Sequence, residues 1–218
     1  MPGRSARHAL ARLHRLNAAF FGAYLLIHFS NHLAALAGPG AHLAVMDALR
    51  TVYRNPVIEP LLFASGAVQI GSGLTLAWRA VRRGLPEGLW PRLQVISGAY
   101  IALFLLQHFF AVIRARLLFP EVDTNVWWAA SVVSEAPLAY YFVPYYALGP
   151  LAVGLHVGAA ARFALTDRGR PTSGARAGWT LAALGGAIGG LTVAALTGTF
   201  HDFSLPAPYR GYLEAFGL

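Results

Sequence analysis

The chain has 218 residues, of which 56% are hydrophobic and 12% are charged; a soluble domain carries about twice that charge, ~25%. Its formal net charge of +8 rests on arginine alone, and the absence of lysine removes retinal-type Schiff-base chemistry. Cysteine is absent too, which excludes thiolate-held iron–sulfur clusters, C-x-x-C-H haem attachment and disulfides.

Five apolar stretches are each long enough to cross ~30 Å of hydrocarbon as a helix of about 20 residues. They predict spans at 13–37, 56–80, 92–118, 138–165 and 176–199, an all-α integral membrane bundle forming one domain over 1–218. Gly38-Pro39-Gly40, Asn55-Pro56, Gly84-Leu85-Pro86 and Arg170-Pro171 punctuate the joins.

The basic leader MPGRSARHALARLHRLN is followed by an apolar run too long for a signal-peptide core, so that run is expected as the first span of the mature protein. Span one carries His28 and, one turn on and on the same face, His32. After it, AHLAVMDALRTVYR reads as an interfacial helix, with Leu43, Met46, Leu49 and Tyr53 at three- and four-residue spacing. His42 in this helix, like His8, His14 and His201, is expected to face water or headgroups. Span two opens on Glu59 and holds Gln69, span three holds His108, and span four holds His156. Trp127, Trp128, Tyr140 and Tyr141 fit an outer aromatic belt. Span five has two overlapping small-xxx-small patterns in Gly185, Gly186, Gly189 and Gly190, which suit close helix packing.

Arginines mark alternate ends of the spans: Arg4, Arg7, Arg12 and Arg15, then Arg79, Arg82, Arg83 and Arg92, then Arg162, Arg168, Arg170 and Arg176. Positive residues favour the cytoplasmic side, so the N-terminus is expected inside and the C-terminus outside, in a multi-pass protein of the cell's inner (cytoplasmic) membrane. Because the arginines sit at span ends beside lipid headgroups, no nucleic-acid partner is expected.

At 1.5 Å per residue, His28 lies roughly 20 Å beyond Arg15 and His108 roughly 24 Å beyond Arg92. Gln69 and His156 fall in a second layer towards the inside. An ionisable side chain inside a span is costly and persists where it lines a pathway or binds something. Imidazoles on facing helices are the usual axial ligands of haem iron. His28 and His108 therefore predict a membrane cytochrome b with one haem b. In the inner layer Gln69 is a poor ligand, so His156 is either a ligand or a structural hydrogen-bond partner. His32 is an alternative to His28 as ligand, or a partner for a haem propionate or a quinone. Glu59 either serves the protons of quinone chemistry or complements the helix dipole.

The segments RLHRLNAAFFGAYLLIHFSNHLAA and PRLQVISGAYIALFLLQHFFAV resemble the membrane-anchor cytochrome b subunit of succinate dehydrogenase and fumarate reductase, of the single-chain, five-helix, two-haem type. The resemblance covers about residues 12 to 165. It implies that His28 and His108 ligate the haem far from the soluble subunits, and that His156 belongs to the near haem. That haem's other ligand position is occupied by Gln69. It further implies iron–sulfur and flavoprotein partner subunits on the cytoplasmic face, and electron transfer with membrane quinone. The chain itself has no dinucleotide fingerprint and no room for a flavin domain. The alternative is a non-redox membrane adapter, or an orphan haem protein of the same fold. A ferric- or ascorbate-type reductase would want complete haem pairs on both sides.

Overall fold

The computed structural model of the chain describes residues 2–202, 204–214 and 217, with side-chain environments from His8 onward. The five expected spans are α1 (Pro2–Ala34, extended by a 3-10 turn at Ala35–Ala37), α3 (Ile58–Val81), α4 (Leu89–Leu118), α6 (Leu138–Thr166) and α7 (Pro171–Leu196). All five are long and apolar enough to cross a membrane, and no strand occurs among the described residues. α7 begins five residues earlier than the hydropathy pattern indicates, because Pro171 occupies its first turn, where a missing N–H costs nothing. α1 likewise runs back unbroken through the basic leader, which contains no proline after Pro2.

α1 packs on α3, α3 on α4, α4 on α6, α6 on α7, and α7 returns to α1. The long helices thus form a closed ring in which α1 stands across the interior from α4 and α6. Their outward faces are apolar, with Leu26, Phe110 and Leu117 all strongly exposed. In water that would be a liability; in lipid it is the ordinary surface.

The α6–α7 seam is the tightest in the ring. A Cβ on Gly154 would run into the Leu181 carbonyl and the Gly185 backbone, and one on Gly185 into the Pro150 carbonyl. Between lipid-surrounded helices such backbone approach replaces the hydrophobic effect as the source of association. Gly185 and Gly189 face this seam; a Cβ on Gly186 would reach only the Leu151 side chain at its edge, and one on Gly190 would meet nothing within 4 Å.

Three short helices gather at the end of the bundle away from the N-terminus. α2 (Pro39–Tyr53) is the expected interfacial helix, launched by Gly38 at φ 103, a conformation glycine adopts without strain. α5 (Val126–Ser134) and α8 (Ala207–Glu214) are not foreseen by the hydropathy pattern. Asn125 caps α5, its Oδ1 accepting from the Trp127 N–H at 2.9 Å. α5 is buried along nearly its whole length, packing Val126 and Ala130 against Ala35 and Leu196. Trp128 is also interior, against Ala115, Tyr209 and Tyr212, so it does not belong to the aromatic belt. Tyr140 and Tyr141 do face outward.

Candidate functional site

The helical repeat of α1 sets Tyr24, His28 and His32 one turn apart on one side, with Asn31 beside them. Tyr24 stacks on His28 at 5.7 Å, and Phe104 stacks on His108 at 5.8 Å from one turn earlier in α4. Across the ring interior the His28 and His108 imidazoles meet, with centroids 5.9 Å apart and planes at 73°. His32 Nε2 lies 3.1 Å from His28 Nε2, so one of these nitrogens donates and the other accepts.

His42 joins the group, which corrects its expected place among headgroups. It is 3% exposed, its Nε2 accepts from Asn31 Nδ2 at 3.2 Å, and its ring lies 6.0 Å from that of His32. The reason is the way α2 folds back over the bundle. His42, Met46, Arg50 and Arg54 recur every four residues and together face inward. Burial, with help from the Arg50 charge, pulls the His42 pKa down to about 4.

These residues line a cavity of about 180 Å³. Its imidazole wall is His28, His32, His42 and His108. At the end near the short helices stand Arg50, Arg54 and Arg116. Arg50 makes two bonds to Asp123, at 2.7 and 2.9 Å, and Arg54 lies 3.6 Å from the same carboxylate. Burial alone would push the Asp123 carboxyl up; the Arg50 bond and charge, with Arg54, outweigh it and hold it below the ordinary carboxylate range. Arg116 pairs with Glu59 at 2.6 Å. Glu59 is thus tied to an arginine at the cavity wall, besides standing in the first turn of α3.

The pairs leave something over. The Nε–H groups of Arg50, Arg54 and Arg116 are buried without a partner, as are Asn31 Oδ1, His42 Nδ1, Trp128 Nε1 and Thr192 Oγ1. All seven atoms belong to residues lining this one cavity. An unmet buried polar group costs about 1–3 kcal/mol, so their concentration marks a place suited to a polar-edged ligand. Most are donors, and they suit an anionic edge. A large planar macrocycle with carboxylates on one edge and axial imidazoles fits this donor set. Among the described residues no group of three histidine, aspartate or glutamate side chains is placed to hold a bare metal ion.

The layer expected towards the inside is arranged differently. His14, assigned by sequence to the interface, lies within α1 and enters this layer; its ring is 6.3 Å from that of His156. Ser72 Oγ donates to the Val68 carbonyl, so it accepts from His14 Nδ1–H at 2.8 Å. His14 Nε2 then accepts from Gln69 Nε2 at 3.2 Å, while Gln69 Oε1 accepts from Asn17 Nδ2 at 2.7 Å. His156 Nδ1 donates to the Gln94 carbonyl at 3.1 Å. Gln69 and His156 therefore do not pair; His14 stands between them in a hydrogen-bonded layer.

Sequence reading singled out His28, His32, His108, His156 and Glu59, and the structure brings all but His156 to one cavity. It missed Asn31, His42 and the three arginines. The four-residue repeat from His42 to Arg54 was the available signal. No protein-family model, curated protein or solved structure matches this chain.

Proposed function

We propose that the chain is a haem b-binding membrane anchor subunit that transfers electrons between an iron–sulfur partner and membrane quinone, as in succinate:quinone oxidoreductases. The observation that carries the reading is the cavity in which His28 and His108 face each other while three arginine Nε–H groups remain unmatched. A haem there supplies one-electron uptake and release. His28 and His108 would hold its iron, with His32 one turn from His28 on the same wall. Arg50, Arg54 and Arg116 would receive its carboxylates, while Tyr24 and Phe104 keep the imidazoles in place by stacking. Iron–sulfur and flavoprotein subunits dock on the arginine-rich connections of the N-terminal face, on the cytoplasmic side of the inner membrane.

The test is purification of the full chain in detergent from haem-replete cells. A low-spin, six-coordinate haem b spectrum at about one haem per chain is expected, lost in His28→Ala and in His108→Ala. A colourless protein, or unchanged spectra in both variants, overturns the reading. The hydrogen-bonded inner layer favours a second reading, a non-redox membrane adapter or orphan haem protein of the same fold. Co-purification of flavin and iron–sulfur centres with the tagged chain supports the first reading; their absence supports the second.

A further inference from the structure

A second recess opens sideways between α4 and α6, with a volume of about 720 Å³. Tyr100, Phe104, Gln107, Phe110, Tyr141 and Tyr145 line it. Leu103, Leu106 and Phe110 at its rim are more than half exposed, so in a membrane its mouth is hydrocarbon. Yet it holds polar groups. Tyr141 Oη–H donates to Gln107 Oε1 at 2.5 Å, which leaves the Gln107 amide hydrogens as donors. Polar side chains on a lipid-facing wall are costly unless something uses them.

A run of near-parallel rings leads inward from this recess. Tyr141 stacks with Tyr145 at 5.9 Å and 25°, Tyr145 with Phe104 at 4.2 Å and 14°, and Phe104 with His108 at 5.8 Å and 12°. Phe104 belongs to both the recess and the histidine cavity, so one aromatic ring separates the recess from the imidazole wall.

We infer that this recess between α4 and α6 binds the ring of a membrane quinone, a reading that rests on the haem assignment at His108. A flat ring stacks on Tyr100, Phe104 and Tyr145. One of its oxygens accepts from the Gln107 amide while Tyr141 stands beside it, and the apolar tail leaves past Leu103 and Leu106 into the bilayer. A water-soluble ligand has no matching approach. Glu59, the residue otherwise suited to quinone protons, is held by Arg116 in the other cavity. A quinol in the recess is oxidised to the quinone, releasing two electrons and two protons. The acceptor would be ferric haem b held by His28 and His108, one electron going to each of two loaded chains, with the two protons released to water.

The test uses the haem-loaded full chain, anaerobic, with short-tailed benzoquinol and naphthoquinol as donors and haem reduction followed by stopped flow. Gln107→Leu removes a hydrogen bond and should slow reduction about tenfold, with dithionite-reduced spectra unchanged. Tyr141→Phe should slow it several-fold, and Leu184→Ala on the outward face of α7 should match the wild type. Wild-type rates in Gln107→Leu, or equal slowing in Leu184→Ala, overturn the proposal. A photoreactive azidoquinone supplies an arm independent of haem: label on 100–110 and 140–146, displaced by excess quinone, supports the site. Label spread over all spans means that the recess holds only acyl chains and overturns it. A haem-free chain removes the haem reading, and the labelling arm then decides the recess by itself.

Discussion

Replacing Gly185 by alanine adds one methyl group at the tightest seam in the ring. Its Cβ would meet the Pro150 carbonyl and, at 3.0 and 3.1 Å, the Cα and N of Gly154. All three are backbone atoms in α6, so no side chain is able to swing away and α6 and α7 must separate. Forcing a methyl into a packed site costs typically about 1–3 kcal/mol, and the gain in helix propensity of about 1 kcal/mol offsets only part of it. A net loss of up to about 2 kcal/mol is expected from these two terms. Gly190 is the internal control: it lies in the same helix, and a Cβ there meets nothing within 4 Å. Gly190→Ala should be neutral or slightly stabilising. Both variants are compared by thermal unfolding in one detergent, read by circular dichroism. Equal midpoints for the two variants would show that the seam has slack and refute the backbone-contact argument.

His42 provides a pH test. Its folded-state pKa of about 4 lies below the ordinary 6.5, so its contribution to stability is present above about 6.5. It is lost as pH falls towards 4, by at most about 3 kcal/mol. His42→Asn should flatten the stability profile over that window, and a profile that keeps its slope would contradict the burial. Gln69→His should leave haem per chain at the wild-type value by pyridine haemochrome, because His14 separates position 69 from His156; an added haem would refute that arrangement. A periplasm-active reporter fused after Leu218 should be active and one fused in the 167–170 connection silent, with the reverse pattern refuting the arginine-based orientation.

The spans were legible because apolar length is written locally, and a fixed rise per residue carried His28 and His108 to matching depths without any tertiary information. α5 was not. VWWAASVVS is too short to cross a membrane, and it is interior only because α2, α6, α7 and α8 cover it. His14 was misplaced because Arg12 and Arg15 flank it, and neighbouring charge argues for an interface. Its true environment depends on Gln69 and Ser72, more than fifty residues away. The Arg50–Asp123 pair spans 73 residues for the same reason.

The cavity also constrains how the protein is made. Its walls come from α1 through α4, then Trp128 of α5, Tyr146 and Pro150 of α6, and Thr192 of α7. When α4 has entered the bilayer both proposed ligand histidines are present, but the enclosure is open on the side that α6 and α7 will fill. Loading therefore has a natural interval, after the third long helix is inserted and before the last two dock. A ligand held across α1 and α4 during that interval would act as a template on which the remaining helices assemble. Scarcity of the ligand would then show first as incomplete docking of the C-terminal third, exposing its glycine seam to proteolysis while α1 to α4 stay embedded.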